Sequence, residues 1–249
     1  MRERQVSLKQ RKEDIRDKNE IEYTSVQFGL EEIRSHFLDS LSDIDRQLSL
    51  ADSLISDERE AEAKDIWRSQ IVYAEGVMDF YLHELSKYAV VRMFRGMWSK
   101  TEGYRNLQIP MKTVEEGLKS PESTSWLFER LSARFSYEVY LSPDAIGKQL
   151  SLIGMKLDDI CRAVEPPAEG ESYLTGQQKL RMLYSRRNQI AHQSDRKHST
   201  ARKEDISRDF VITSTDFIRR FVEAVHSEAL SMDKTEITNK IVYCTVLLG

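Results

Sequence analysis

The stretch Phe37-Leu-Asp-Ser-Leu41-Ser-Asp-Ile44-Asp-Arg-Gln-Leu48-Ser-Leu-Ala51-Asp-Ser-Leu-Ile55 decides the fold. Phe37, Leu41, Ile44, Leu48, Ala51 and Ile55 recur at spacings of three and four, which puts them on one stripe of an α-helix. A second long helix is expected from about Ala63 to Met97. It carries Ile66, Trp67, Tyr73, Val77, Phe80, Tyr81, Leu85 and Val90 and has no internal proline. The polar link Ser56–Glu60 lies between the two, so they are expected to pair as a long antiparallel hairpin.

Beyond the hairpin the pattern loosens. Gly103, Pro110, Gly117 and Pro121 mark turns across Trp98–Thr124, with one short helix expected near Met111–Leu118. Helical periodicity returns over Ser125–Val139. Ser142-Pro143-Asp144 reads as a cap with proline in the first turn, opening a helix that runs to about Ala163. Pro166-Pro-Ala-Glu-Gly170 is a loop. Leu180, Leu183, Tyr184 and Ile190 then form the apolar side of a further helix, followed by a polar loop from Gln193 to about Asp205. The last strong helix, about Ser214–Met232, buries Phe217, Ile218, Phe221, Val222, Val225 and Leu230. The closing run Ile241–Leu248 is β-branched and apolar, and fits either a docked strand or a helix end.

The expected architecture is therefore all-α: a helical bundle built on a long antiparallel helix pair, with an additional motif-bearing helix and a closing helix. Three regions are expected. Residues 1–27 form a charged N-terminal leader, residues 28–232 the helical domain with an insert at about 98–124, and residues 233–249 a C-terminal extension.

Composition narrows the function classes. Only 10 Gly and 5 Pro in 249 residues argue for long helices over a many-turned β fold. No stretch approaches the roughly 18 consecutive apolar residues that span a bilayer, so no membrane contact is expected. The N-terminus, Met-Arg-Glu-Arg-Gln, does not read as a signal peptide. Cys161 and Cys244 have no metal-like spacing, and the two fit a reducing, cytoplasmic setting. With a net charge of −4, any nucleic-acid contact must come from a local basic patch.

That patch surrounds Arg187-Asn188-Gln-Ile-Ala-His192. Asn188 and His192 are four residues apart and share a helix face, while Arg187 lies about a quarter-turn away and is long enough to swing over if the helix frays at Gln193. An imidazole there can take a proton from a 2′-hydroxyl or deliver one to a leaving 5′-oxygen. A guanidinium can hold the phosphate and the charge that accumulates on it, and Asn188 can orient either partner. These are the parts needed to cleave RNA with side chains alone. Arg181, Arg186, Arg196, Lys197, Arg202 and Lys203 flank the motif and are candidates for RNA binding; a mobile, RNA-guiding flap is expected over Gln193–Asp205. No cofactor and no metal site are expected: His83-Glu84 lacks the second histidine of a zinc-protease helix, and His198 has no cysteine pair nearby. Trp67, Trp98 and Trp126 are expected to pack the core, and His36 and His226 to be surface or satisfied core residues.

Arg187-Asn-Gln-Ile-Ala-His192 resembles the arginine-X4-6-histidine signature of the HEPN superfamily (higher eukaryotes and prokaryotes nucleotide-binding), which usually carries a polar residue after the arginine. Arg68-Ser-Gln-Ile-Val, followed by Val77-Met-Asp79-Phe-Tyr-Leu-His83-Glu-Leu, is similar to the second helix of standalone bacterial members. The run from Ser142 to Ile160 and the closing helix from Ile212 also fit, so the resemblance covers about Phe28 to Met232. It implies an all-α bundle, commonly a homodimer whose two motifs meet in a composite site. It also implies a metal-independent endoribonuclease that leaves a 2′,3′-cyclic phosphate, often a toxin with an antitoxin or regulatory partner, or an antiviral defence effector. Other members are non-catalytic modules that bind RNA, a nucleotide or a partner protein. Arg187 and His192 match the signature, Asn188 matches its polar position, and Asp79 falls where many relatives carry an acid.

Overall fold

The computed structural model describes residues 26–166, 175–197 and 199–247, with the backbone alone at residue 175 and over residues 234–247. Most of the charged leader, most of the Pro166–Gly170 loop, His198 and Leu248 lie outside these residues. Among the described residues there are nine helices and no strand: α1 (Leu30–Ser56), α2 (Glu60–Phe94), α3 (Glu102–Arg105), α4 (Met111–Leu118), α5 (Ser125–Phe135), α6 (Pro143–Leu152), α7 (Leu157–Val164), α8 (Thr175–Gln193) and α9 (Arg208–Leu247).

The α1–α2 pair is the frame. Phe37, Leu41, Ile44 and Ala51 of the expected stripe are essentially without exposure and meet Ile71, Ala74, Met78, Tyr81 and Leu85 of α2. Each large apolar side chain buried there contributes about 1.5–3 kcal/mol, which is why the pair holds despite the polar faces outside it. The reversal takes only Asp57–Arg59, with Glu58 at φ 61° and Arg59 N bonded to Leu54 O at 2.8 Å. α9 packs across both helices through Phe217, Phe221, Val222 and Val225. There Tyr81 Oη and His226 Nδ1 are 3.2 Å apart, and burial pushes the His226 pKa down. Val90 and Val91, near the far end of α2, cluster with Leu127, Phe128, Leu131 and Phe135 of α5. Trp67 and Trp98 are buried as expected, and Trp126 packs half-buried on this second cluster.

Several boundaries differ from the sequence reading. The helix expected from Pro143 to Ala163 is broken into α6 and α7 at Gly154, whose φ of +90° ends the first helix while Met155 N bonds back to Leu150 O at 2.9 Å. The helix expected over Ser125–Val139 stops at Phe135. α9 starts earlier than the expected Ser214, where Ser207 Oγ accepts from Phe210 N at 3.1 Å, and it runs on without a break through the expected boundary at residue 232. Backbone hydrogen bonding there is helical to Leu247, so the apolar closing run is a helix end rather than a strand. The bundle anchors α9 at that boundary: Asp233 accepts from Tyr88 Oη at 2.8 Å, Arg92 Nη2 at 2.8 Å and Trp98 Nε1 at 2.5 Å. Three residues assigned to core stripes face solvent instead: Ile55, Tyr73 and Phe80 are 40%, 40% and 43% exposed. Tyr73 and Phe80 lie on a side of α2 that no other described helix covers.

Candidate functional site

α8 carries the motif, and its entry is set by a glycine. A Cβ at Gly176 would lie 2.9 Å from Cys161 Cβ and 3.1 Å from Cys161 Cα, so only glycine lets the start of α8 pass this close to α7. Leu180 and Leu183 then bury against the core, with Tyr184 and Ile190 partly buried beside them. That leaves the opposite side of the last turns for polar groups.

α8 does not fray before Gln193, yet Arg187 still reaches the histidine. Its Nη1 donates to Asn188 Oδ1 at 3.1 Å and lies 3.4 Å from His192 Nε2. The second contact is a hydrogen bond when the Nε2 lone pair is free, which is the neutral imidazole with its proton on Nδ1. Asn188 is half-buried and His192 exposed, so the ring edge faces solvent with a cation beside it. The three motif residues are thus brought together around one guanidinium.

Beneath Arg187 lies a residue the sequence reading missed. Glu75 of α2 is 1% exposed, and neither carboxyl oxygen has a hydrogen-bond partner among the described residues. Burial raises its pKa to about 8, with Arg187 lowering it and Asp79 raising it by lesser amounts. Arg187 Nε is likewise buried and unpartnered. The signal was present: Glu75 is one helical turn before Asp79 and interrupts an otherwise apolar run, Ile71-Val-Tyr-Ala-Glu75-Gly-Val-Met.

Asp79 does not reach the motif directly. Its Oδ1 accepts from Tyr140 N at 2.5 Å and lies 3.6 Å from His83 Nε2, so it fastens the α5–α6 connection to α2. The His83 ring packs on Tyr140 with centroids 4.4 Å apart, and His83 serves the same junction.

The segment after α8 is anchored, contrary to the expected mobile flap. Asp195 is 0% exposed and sits between two arginines, accepting from Arg68 Nε at 2.6 Å and from both Nη1 and Nη2 of Arg186, the latter at 3.0 Å. Arg68 Nη2 also donates to Glu204 O at 2.7 Å, and Arg186 Nη2 to Asp205 O at 3.0 Å. Ser194, Asp195 and Ala201 all take positive φ (51°, 59° and 56°), a strained backbone held in place by the hydrogen bonds that converge on Asp195. Within the segment, Glu204 N donates to Asp195 O at 2.7 Å and Lys197 N to Arg202 O at 3.0 Å.

The expected basic surface is correspondingly reduced. Arg186 is turned inward on Asp195 and is not an exposed phosphate ligand. Lys197 pairs with Glu204 at 2.9 Å and Lys203 with Asp65 at 2.8 Å, while Arg196 Nη1 donates to Ala201 O at 2.6 Å. Arg181 and Arg202 are exposed and have no ionic partner among the described residues. Nor does any group of three or more His, Cys, Asp or Glu side chains among those residues suit a metal ion. No described helix is long and apolar enough to cross a membrane.

No protein-family model, curated protein or solved structure matches the chain.

Proposed function

We propose that this chain is a metal-independent endoribonuclease of the HEPN type, working in the cytoplasm as a homodimer with a composite site. The observation that carries the reading is the Arg187 guanidinium held between Asn188 Oδ1 at 3.1 Å and His192 Nε2 at 3.4 Å at the exposed end of α8. In the reaction, Arg187 turns from His192 to the phosphate, and the Nε2 lone pair so freed takes the proton of an RNA 2′-hydroxyl. The 2′-oxygen attacks the adjacent phosphorus, the bond from phosphorus to the 5′-oxygen breaks, and that oxygen leaves with a proton. The products are a 2′,3′-cyclic phosphate and a 5′-hydroxyl. Arg187 holds the non-bridging oxygens as negative charge builds on them. In a dimer, His192 of the partner subunit supplies that proton to the leaving oxygen. The uncovered Tyr73 and Phe80 of α2 and Met182 of α8, 40%, 43% and 49% exposed, offer apolar surface for that pairing. Arg181 and Arg202 guide the strand, and a toxin or antiviral defence effector kept in check by an antitoxin or regulatory protein is the expected setting.

One observation favours a second reading, a non-catalytic module that binds RNA, a nucleotide or a partner protein. Arg186, Lys197 and Lys203 are neutralised within the chain, which leaves few free cations for a long strand. The deciding experiment incubates end-labelled mixed RNA with the full chain in EDTA, beside His192→Ala. Cleavage by the wild type that drops by about a hundredfold or more in the variant, with cyclic phosphate ends, establishes the enzyme. RNA binding without cleavage in either selects the binding module.

A further inference from the structure

The Glu75 carboxyl and the Arg187 Nε–H are two buried groups without hydrogen-bond partners among the described residues, on helices α2 and α8, which pack together. Glu75 is 1% exposed with both carboxyl oxygens unpartnered, and Arg187 Nε is buried and unpartnered as well. Arg187 is the cation that acts on Glu75, and Asp79, one turn along α2, is the acid that acts on it. From α1, α5, α6 and α9, the other elements packed against α2, no charged group among the described residues acts on this carboxyl.

A buried carboxyl with no donor among the described residues is disfavoured as an anion, and burial outweighs the pull of Arg187, so it titrates at about 8. Uncharged, it competes poorly for the guanidinium, whose Nη1 stays on Asn188 and His192. Ionised, it becomes a buried anion with Arg187 as the one cation acting on it, and the unused Nε–H of that cation is a buried donor left free to satisfy it.

We infer that Glu75 is a positioning residue for Arg187: its uncharged carboxyl leaves the guanidinium on His192, and loss of its proton draws the guanidinium inward, off the motif. The coupling of the two residues stands on the burial of their unpartnered atoms on the packed helices α2 and α8. Its consequence for cleavage rests on the ribonuclease reading.

The test follows the Arg187 Nε–Hε and Glu75 Cδ resonances of the isotope-labelled full chain from about pH 6 to about pH 10, with RNA cleavage measured on the same samples. Both resonances are expected to titrate with one midpoint near 8, and Glu75→Gln is expected to abolish the step at Arg187. Arg187→Gln retains the carboxyl and removes the charge that lowers its pKa, so the Glu75 Cδ midpoint should move up. In the wild type, cleavage should fall about tenfold per pH unit above the midpoint, and Glu75→Gln should keep its rate. An Arg187 resonance that stays constant through this range in the wild type, or a step that persists in Glu75→Gln, overturns the inference. Should the variant fail to fold, the wild-type titration and Arg187→Gln decide alone. Titration as expected with no RNA cleavage at any pH sinks the ribonuclease reading and leaves the coupling in place.

Discussion

Replacing Glu75 by glutamine should make the protein more stable, and by an amount that depends on pH. The ordinary value of a glutamate is 4.5 and that of Glu75 in the fold is about 8. A carboxyl whose pKa is raised by folding lends its full stability below 4.5 and loses it steadily as the pH climbs to about 8, because the unfolded chain releases the proton first. Each pH unit in that window costs about 1.4 kcal/mol. At neutral pH, two and a half units above 4.5, the fold is therefore weakened by about 3 kcal/mol. Glutamine has nearly the same shape and never ionises, so Glu75→Gln should gain about that much at pH 7 and close to nothing near pH 4.5. Because the side chain is 1% exposed, little solvent screening reduces the figure. Urea denaturation of both proteins at about pH 5, 6, 7 and 8 gives the difference from the midpoints and slopes. A stability difference that stays flat across those conditions refutes the reasoning, since it would mean Glu75 is ionised in the fold despite its burial.

Three further outcomes follow from the geometry. Asp195→Ala leaves Arg68 and Arg186 facing each other without their shared anion, and should cost about 3–5 kcal/mol and open residues 193–205 to protease; unchanged denaturation and cleavage kinetics would contradict the role given to the cluster. Gly176→Ala forces a Cβ to within 2.9 Å of Cys161 Cβ and should lower stability by about 1–3 kcal/mol, read as a drop in Tm; a neutral result would mean that α7 and α8 can separate freely. Arg181→Gln with Arg202→Gln should reduce the slope of log affinity for single-stranded RNA against log salt by about 1.4, while Lys197→Gln with Lys203→Gln, whose charges are already paired, should change it less.

The helices were legible because their signal is local. The stripe from Phe37 to Ala51 and the set Val77, Tyr81, Leu85 and Val90 announce buried faces by spacing alone, and they are buried. Tyr73 and Phe80 were misplaced because an aromatic residue on α2 reads as core whether or not a neighbouring helix covers it. The break at Gly154 was missed because a single glycine inside a periodic run is compatible with a continuous helix until its φ is known. At the site, Arg187, Asn188 and His192 were found from their spacing, and their contact runs across little more than one turn of α8. Asp195 and Glu75 were not found, since what defines them is distant in sequence: Asp195 pairs with Arg68 across 127 positions, and Glu75 acquires its character from burial against a helix more than a hundred residues later. A lone acid in a basic segment reads as a solvated charge until its two arginines are seen converging on it.

Arg68, Glu75 and Asp79 stand seven and four residues apart on α2, which on a helix puts them within about 20° of one line. Along that line Arg68 takes hold of the segment after α8, Glu75 sits under the motif arginine, and Asp79 ties down the α5–α6 connection. The rotational phase of one helix thus sets three separate pieces of chain at once. Inserting a single residue into α2 before Arg68 would leave this line intact and turn it as a unit by about 100° relative to the helix start, whereas an insertion between Arg68 and Glu75 would split it, releasing the motif from the segment that follows it.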